Sequence, residues 1–404
     1  GGGHRLTARR RDDRSRPPAE EAGGRGALPR PWGACSLRRM SARAGPPGEP
    51  EDGITPLTST QRVAVVGLGR AGVAHAVMLS HIPGCELAAV ADPRGAARAA
   101  LRGMGFAVPS FSCIERLLER HAPDAVVVCA PQHERAAVAR AALEAGIPAL
   151  VERPMARTLA GAAGLVELAA ARGVPLAVGH PLAHEPVFTR MHELVRAGAL
   201  GPVRQVRSAM FVSRVFAPRP RRGPGRLDPG RVAGGVLAHL ASDLLFVLVR
   251  MLGLPARVRA ERNVIYGEVE DELHAMMTLP DGGEIGFDCS WSVPGSTRAS
   301  TVIELAGREG HLLASDEALE VELSREAAGL PAGYTRLRDA DFPAPARFDF
   351  GGETLWLHDA AFLDWLAGGE APPNHAAAAL EAHRVMDALY RSAAAGGAEV
   401  EVSP

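Results

Sequence analysis

From Gln61 onward the chain alternates short apolar runs with helical stretches. Residues 62–66 (RVAVV), 86–91 (ELAAVA), 125–130 (AVVVCA), 148–151 and 176–178 read as buried strands, short and rich in Val and Ala. Helical stretches at 71–80 and 133–145 follow the first and third of them. Strands alternating with helices predict an α/β unit: a doubly wound parallel sheet covered on both faces. After about Gly179 the rhythm changes. Residues 191–197 form an amphipathic helix ended by Gly198 and Gly201, residues 203–216 read as a long strand, and Gly234-Gly235 open a helix that runs to Leu252. Strand-like runs at 256–265, 272–279, 284–291, 301–306 and 319–323 then follow one another, and 375–393 read as a closing helix. Successive strands without helices between them predict a C-terminal α+β domain with an open, mostly antiparallel sheet. The expected division is a tail at 1–60, a first domain at 61–180 and a second at 181–404, with no internal repeat.

Composition adds exclusions. Residues 1–60 are rich in Gly, Pro and Arg, lack apolar periodicity and read as disordered. Arg9-Arg10-Arg11 is followed by no apolar segment, so it does not read as an export signal; the first methionine is Met40, and the stretch before it reads as upstream sequence. The net charge of −1 gives no global field to attract nucleic acid or a membrane surface. The run 236–249 is too short to span a membrane and is broken by His239 and Asp243. Five scattered cysteines with no C-x-x-C spacing suggest neither a disulfide frame nor a zinc site, and make the cytoplasm the expected compartment. All 45 basic residues are Arg.

The candidate chemistry begins at Gly67-Leu68-Gly69-Arg70-Ala71-Gly72. This loop follows a strand, opens a helix, and has Asp92 twenty positions after its last glycine. Gly67 suits a tight turn, Gly69 a close approach of backbone to a pyrophosphate, and Gly72 close helix–strand packing. The helix start then offers free N–H groups to phosphate. The expectation is a Rossmann dinucleotide site. Asp92 ends the second strand, where a carboxylate accepts from ribose hydroxyls and repels a 2′-phosphate, which favours NAD over NADP. Arg94 tempers this preference, because it could pair with that phosphate.

The order GLGRAG, VADP, AVVVCAP, ALEAGIPALVERP, AVGH and ELVRAGALG resembles the Gfo/Idh/MocA family of sugar and cyclitol oxidoreductases, over about 62–402. The resemblance implies a Rossmann domain, a second domain whose open sheet often forms a subunit interface, and hydride transfer between a sugar-like secondary alcohol and nicotinamide. It implies a homo-oligomer and a small-molecule partner. The family commonly uses Lys in Glu-Lys-Pro, and Asp then His one helical turn apart. Here Glu152-Arg153-Pro154 and His239 then Asp243 stand at those places, and Phe246 occupies a further common Asp position. Arg stays protonated, so Arg153 is expected to polarise a substrate oxygen rather than accept a proton. His239 and Asp243, four apart, share a helix face and are expected to form a dyad in which the carboxylate orients the ring that shuttles the proton. Pro131 and either His133 or Arg135 are expected beside the nicotinamide half of the cofactor, and Glu152 near its ribose. His133 reads equally well as the start of the next helix.

Other features are weaker. His180 and His184 are separated by prolines unsuited to one helical face, and read as cleft-lining residues, not a metal pair. Ala183 lacks the basic group common there. Residues 217–231 carry Arg219, Arg221, Arg222, Arg226 and Arg231, and read as a solvated loop or an anion clamp. The acidic run 268–272 reads as a solvated turn, Gly282-Gly283 as a hairpin turn, and Trp291 as packing or a sugar platform. Three functions fit: an NAD-dependent sugar or cyclitol oxidoreductase, an NAD-assisted glycoside-cleaving enzyme, and a dinucleotide-binding sensor without turnover.

Overall fold

The computed structural model describes residues 60–212, 228–293, 300–342 and 352–403. The tail and Arg219, Arg221, Arg222 and Arg226 lie outside the described residues. The first sheet comprises β1 (Gln61–Val66), β2 (Cys85–Ala91), β3 (Ser110–Phe111), β4 (Ala125–Val128), β5 (Ala149–Glu152) and β6 (Leu176–Gly179). All pairs are parallel, in the order β3-β2-β1-β4-β5-β6. The direction of winding reverses between β1 and β4, and open α/β sheets hold ligands beyond the strand ends at such a switch point. β4 (AVVV) is buried throughout, as a central parallel strand requires.

The intervening helices are α1 (Arg70–Leu79), α2 (Gly95–Gly103), α3 (Ile114–His121), α4 (Gln132–Glu144) and α5 (Leu159–Arg172). The start of α5 is fixed by the Thr158 hydroxyl, which accepts from the Gly161 amide at 3.1 Å. Its end is fixed by Gly173, whose φ of 62° lies in the left-handed region. α6 (Pro186–Arg196) starts earlier than the sequence pattern predicts. Pro186 occupies its first turn, where a missing N–H costs nothing. Pro181 likewise opens a short 3-10 turn, Pro181–His184.

The second sheet has nine strands: β7 (Val203–Phe211), β8 (Arg257–Asn263), β9 (Glu272–Thr278), β10 (Glu284–Ser290), β11 (Ser300–Gly307), β12 (Gly310–Ser315), β13 (Ala318–Leu323), β14 (Gly333–Arg338) and β15 (Val400–Glu401). Their order is β14-β13-β12-β11-β7-β10-β9-β8-β15, antiparallel except for the parallel β7–β10 pair. One face is covered by α9 (Ala376–Ala394), which packs on β8, and by α6, which packs on β12 and β13, with α7 (Ser242–Leu252) lying against α9. Along β8, Val258 and Ala260 point into this core while Arg257, Arg259 and Glu261 face solvent. Among the described residues no helix covers the opposite face, which exposes Met276 and Val302.

One helix crosses this division. α8 (Glu353–Leu366) packs on α1. Its Trp356, Phe362 and Leu363 join Val63, Val65 and Leu79 in the core on one side of the first sheet. The sequence pattern placed no helix there.

Candidate active site

Each glycine of the loop has a structural reason. Gly67 has φ +96°, and a Cβ there would stand 2.6 Å from the carbonyl of Cys129; a Cβ on Gly72 would stand 1.8 Å from the Gly67 oxygen. Gly69 has nothing within 4 Å of its Cβ position, leaving room at the start of α1. That helix has no side-chain cap and no acidic first-turn residue, so the amides of Arg70, Ala71 and Gly72 lack a partner within it. Bare backbone, open room and unpaired amides fit a dinucleotide diphosphate.

Asp92 closes the loop from β2. Its Oδ2 accepts from the Leu68 amide at 2.7 Å and from Arg94 Nη2 at 2.8 Å. Its Oδ1 accepts from the Arg94 amide at 2.8 Å and from Arg94 Nε at 2.9 Å. Arg98 Nη1 donates to the Asp92 carbonyl. Burial would raise the Asp92 carboxyl, but Arg94 and the two amides outweigh it and hold the group below its ordinary range.

A second group sits where β5 and β6 end. Arg135, buried on α4, donates to the carbonyls of Ala130, Arg153 and Pro154 at 2.7 to 3.1 Å and fixes the turn after β5. Arg153 Nη1 donates to the Gly179 carbonyl at 3.2 Å and lies 3.8 Å from Glu152. Its Nη2 lies 3.5 Å from Asp243 Oδ2. Burial lowers the Arg153 pKa, but Asp243 and Glu152 more than restore it, so the charge is secure. Asp243 also lies 3.4 Å from His180 Nδ1. Burial pushes His180 down further than Asp243 lifts it, and its ring stacks on Phe246 at 4.3 Å.

The fold sets His239 and Asp243, expected as a dyad, beside different side chains. Residues Leu237–Ala241 form a π turn ahead of α7. Asp243 turns to Arg153 and His180, and His239 meets Gln132. The Gln132 Nε2 lies 3.2 Å from Nδ1 and 3.4 Å from Nε2 of His239, while its Oε1 accepts from the Ala233 amide at 2.7 Å. His133 lies in the first turn of α4, 2.8 Å from Arg231 and 3.2 Å from Glu134. From this loop Gln132 reaches the second domain, and Arg135 acts on backbone.

Glu152 belongs to a buried chain that sequence reasoning missed. His75 of α1 stands between Asp359 of α8, at 2.8 Å, and Glu152, at 3.4 Å. Asp359 continues to His358 at 2.9 Å, His358 to Asn374 at 3.0 Å, and Asn374 to His184 at 2.9 Å. Burial opposes a charge on His75, yet the two carboxylates lift its pKa to about 10. Glu152 is driven low by His75 and Arg153 against the effect of burial. A histidine on an apolar helix face was the available signal, because a buried imidazole needs partners and none lies nearby in sequence.

The acidic run 268–272 is corrected too. Glu270 and Asp271 are 1% and 2% exposed, not solvated. Glu270 accepts from the amides of Gly235 and Leu237 and from the Tyr390 hydroxyl, anchoring the segment that carries His239. Asp271 accepts from Trp291 Nε1 at 2.6 Å, and that buried ring lies 6.2 Å from His239. Among the described residues no group of three or more His, Cys, Asp or Glu could hold a metal, and no helix is long and apolar enough to cross a membrane.

Comparison with known proteins identifies the family. Residues 61–180 match the family model described as an oxidoreductase family with an NAD-binding Rossmann fold, and 188–313 match the GFO/IDH/MocA C-terminal domain. The chain is 28% identical to a dTDP-3,4-didehydro-2,6-dideoxy-alpha-D-glucose 3-reductase of Streptomyces violaceoruber, over 60% of this chain and 74% of that one. It is 22% identical to an inositol 2-dehydrogenase of Corynebacterium glutamicum, over 77% and 86%. Its fold superposes on GenD2 from gentamicin A biosynthesis, solved in complex with NAD, with a TM-score of 0.73, 26% identity, and coverage of 88% and 99%.

Proposed function

Because the chain belongs to the Gfo/Idh/MocA oxidoreductase family, with its NAD-binding Rossmann fold, we propose that it moves a hydride between nicotinamide and a secondary alcohol of a sugar, sugar nucleotide or cyclitol. Relatives named as a sugar-nucleotide reductase and an inositol dehydrogenase support that substrate class. The observation that carries the reading is convergence: Arg153 with Asp243, and Gln132 with His239, join the two sheets' domains at the edge that bears the glycine loop.

The loop amides and Asp92 would hold NAD, with Glu152 toward its nicotinamide ribose. Bound there, the nicotinamide supplies the hydride acceptor, or the donor in the reverse direction. Oxidising an alcohol also frees its hydroxyl proton, which the protein must receive. Arg153 holds the substrate oxygen and steadies negative charge on it, but cannot take the proton. Asp243 keeps Arg153 in place. His239 takes the proton on its one basic ring nitrogen once that nitrogen is released by the Gln132 amide, whose Nε2 faces the ring because its Oε1 accepts from the Ala233 amide.

Purified protein with NAD and a panel of sugars, sugar nucleotides and cyclitols should form reduced cofactor, read by its absorbance. Changing His239→Ala should lower the rate by about 10²–10⁴-fold; an unaltered rate removes His239 from the reaction. The engagement of Arg153 by Asp243, Glu152 and Gly179 favours one second reading, a nucleotide-binding sensor, for which nucleotide would bind with no turnover of any substrate. Product formed without net reduced cofactor would indicate NAD-assisted glycoside cleavage. We further assign the protein to the cytoplasm, as a homo-oligomer paired through the face of the nine-stranded sheet opposite α9. The free thiols of Cys85, Cys113, Cys129 and Cys289 and the exposure of Met276 and Val302 support these assignments. Light scattering reads the second, and a monomer at micromolar concentration would refute it.

A further inference from the structure

Asp92 has no free seat for a ribose. A carboxylate offers about four lone-pair positions. All four are taken: by the amides of Leu68 and Arg94, and by Nε and Nη2 of Arg94. The two amides are fixed by the fold. The two side-chain donors are not, because Arg94 is 62% exposed while Asp92 is 3% exposed. A ribose diol can therefore reach Asp92 only by taking the positions held by the Arg94 guanidinium. That displacement leaves a fork-shaped cation tethered two residues from Asp92, still beside the nucleotide and without a carboxylate. Arg98 adds a second cation, donating to the Asp92 carbonyl.

The charge balance runs the same way. A lone carboxylate at this strand end rejects a 2′-phosphate by repulsion. Here the carboxylate is neutralised by a bidentate pair, and Arg98 makes the local sum positive. A guanidinium exchanging a carboxylate for a phosphate keeps its two parallel N–H···O bonds and gains a more highly charged partner.

We propose that Arg94 is a movable cofactor-selecting residue, which lets this chain bind a nicotinamide dinucleotide carrying a 2′-phosphate as well as NAD. The proposal rests on the dinucleotide reading of the glycine loop. With NAD, Arg94 yields its positions on Asp92 to the ribose hydroxyls. With NADP, Arg94 turns from Asp92 to the phosphate.

Isothermal titration of the full chain, freed of bound nucleotide, with NAD and with NADP tests it without any substrate. In the wild type, NADP should bind within about tenfold of NAD, and its affinity should fall more steeply with salt. The variant Arg94→Ala should weaken NADP by at least about tenfold relative to NAD. The salt series on the unaltered protein gives the same answer without relying on the variant. Wild-type NADP binding more than about tenfold weaker than NAD, equal salt slopes, or a ratio that R94A leaves unchanged would each overturn the proposal. Binding of neither nucleotide would instead overturn the dinucleotide reading, and the proposal with it.

Discussion

His75 illustrates how one buried charge can organise a site. The ring is 1% exposed and is held protonated by two carboxylates, Glu152 and Asp359, both distant from it in sequence. Its pKa rises from 6.5 unfolded to about 10 folded, so the folded state keeps a proton that the unfolded chain has lost in that window. The stabilisation is full below pH 6.5 and disappears as pH climbs through about 10. Glu152 and Asp359 are both lowered, so their contributions are present above the ordinary carboxylate range and vanish as pH falls. The thermal midpoint should therefore peak in mildly acidic solution and decline on the alkaline side. In His75→Gln the alkaline decline should flatten, and a slope identical to wild type would refute the assignment. His75→Ala leaves Glu152 to Arg153 and Asp359 to His358, without the imidazolium between them, and should cost about 3 kcal/mol in denaturant unfolding. At this scale the glycines and Asp92 could be found from sequence by their local spacing, and Arg153 only through the resemblance to a family. Gln132 and Asp359 could not, and His75 signalled only a need for partners, because each is defined by a partner far along the chain.

At the scale of elements, the helix from Gly235 to Leu252 was legible but its winding was not. The apolar run LLFVLV announces a buried helix whatever its pitch. The π turn at Leu237–Ala241 depends instead on Glu270, which pins the amides of Gly235 and Leu237 from another part of the fold. Two glycines in sequence read as a helix start; the reason for the second is tertiary. A Cβ on Gly235 would stand 1.9 Å from the Glu270 carbonyl oxygen, and backbone cannot yield as a flexible side chain does. Gly235→Ala should destabilise the protein by roughly 3 kcal/mol. It should also displace His239 from Gln132, lowering kcat more than nucleotide affinity. Nucleotide binding lost along with kcat would place the damage elsewhere. The burial of Glu270 and Asp271 teaches the same lesson, since an acidic run looks like a solvated turn until its hydrogen-bond partners are seen.

At the scale of the molecule, the two-sheet architecture followed from the change of rhythm near Gly179, but the return of α8 did not. Its sequence, ETLWLHDAAFLDWL, is apolar on most sides, and an expectation of contiguous domains gave it no place. It completes the layer over α1, and Trp356, Phe362 and Leu363 each bury side chains worth about 1.5–3 kcal/mol. A fragment holding residues 60–180 alone should therefore lack a cooperative thermal transition and bind nucleotide poorly. Adding a peptide spanning α8 should restore both, as measured by circular dichroism and titration. A stable isolated fragment would show that the helix is an ornament.

The position of α8 also sets a timetable. Ribosomes deliver the glycine loop early, but the helix that seals its layer and sets Asp359 against His75 emerges only after the whole nine-stranded region apart from its last strand. Until then the nascent nucleotide domain exposes an apolar flank and two unneutralised groups, a state prone to capture by chaperones or by other chains. A premature stop shortly after residue 342 would thus abolish cofactor capture as surely as a lesion in the loop itself, though every residue expected to touch the nucleotide would still be made.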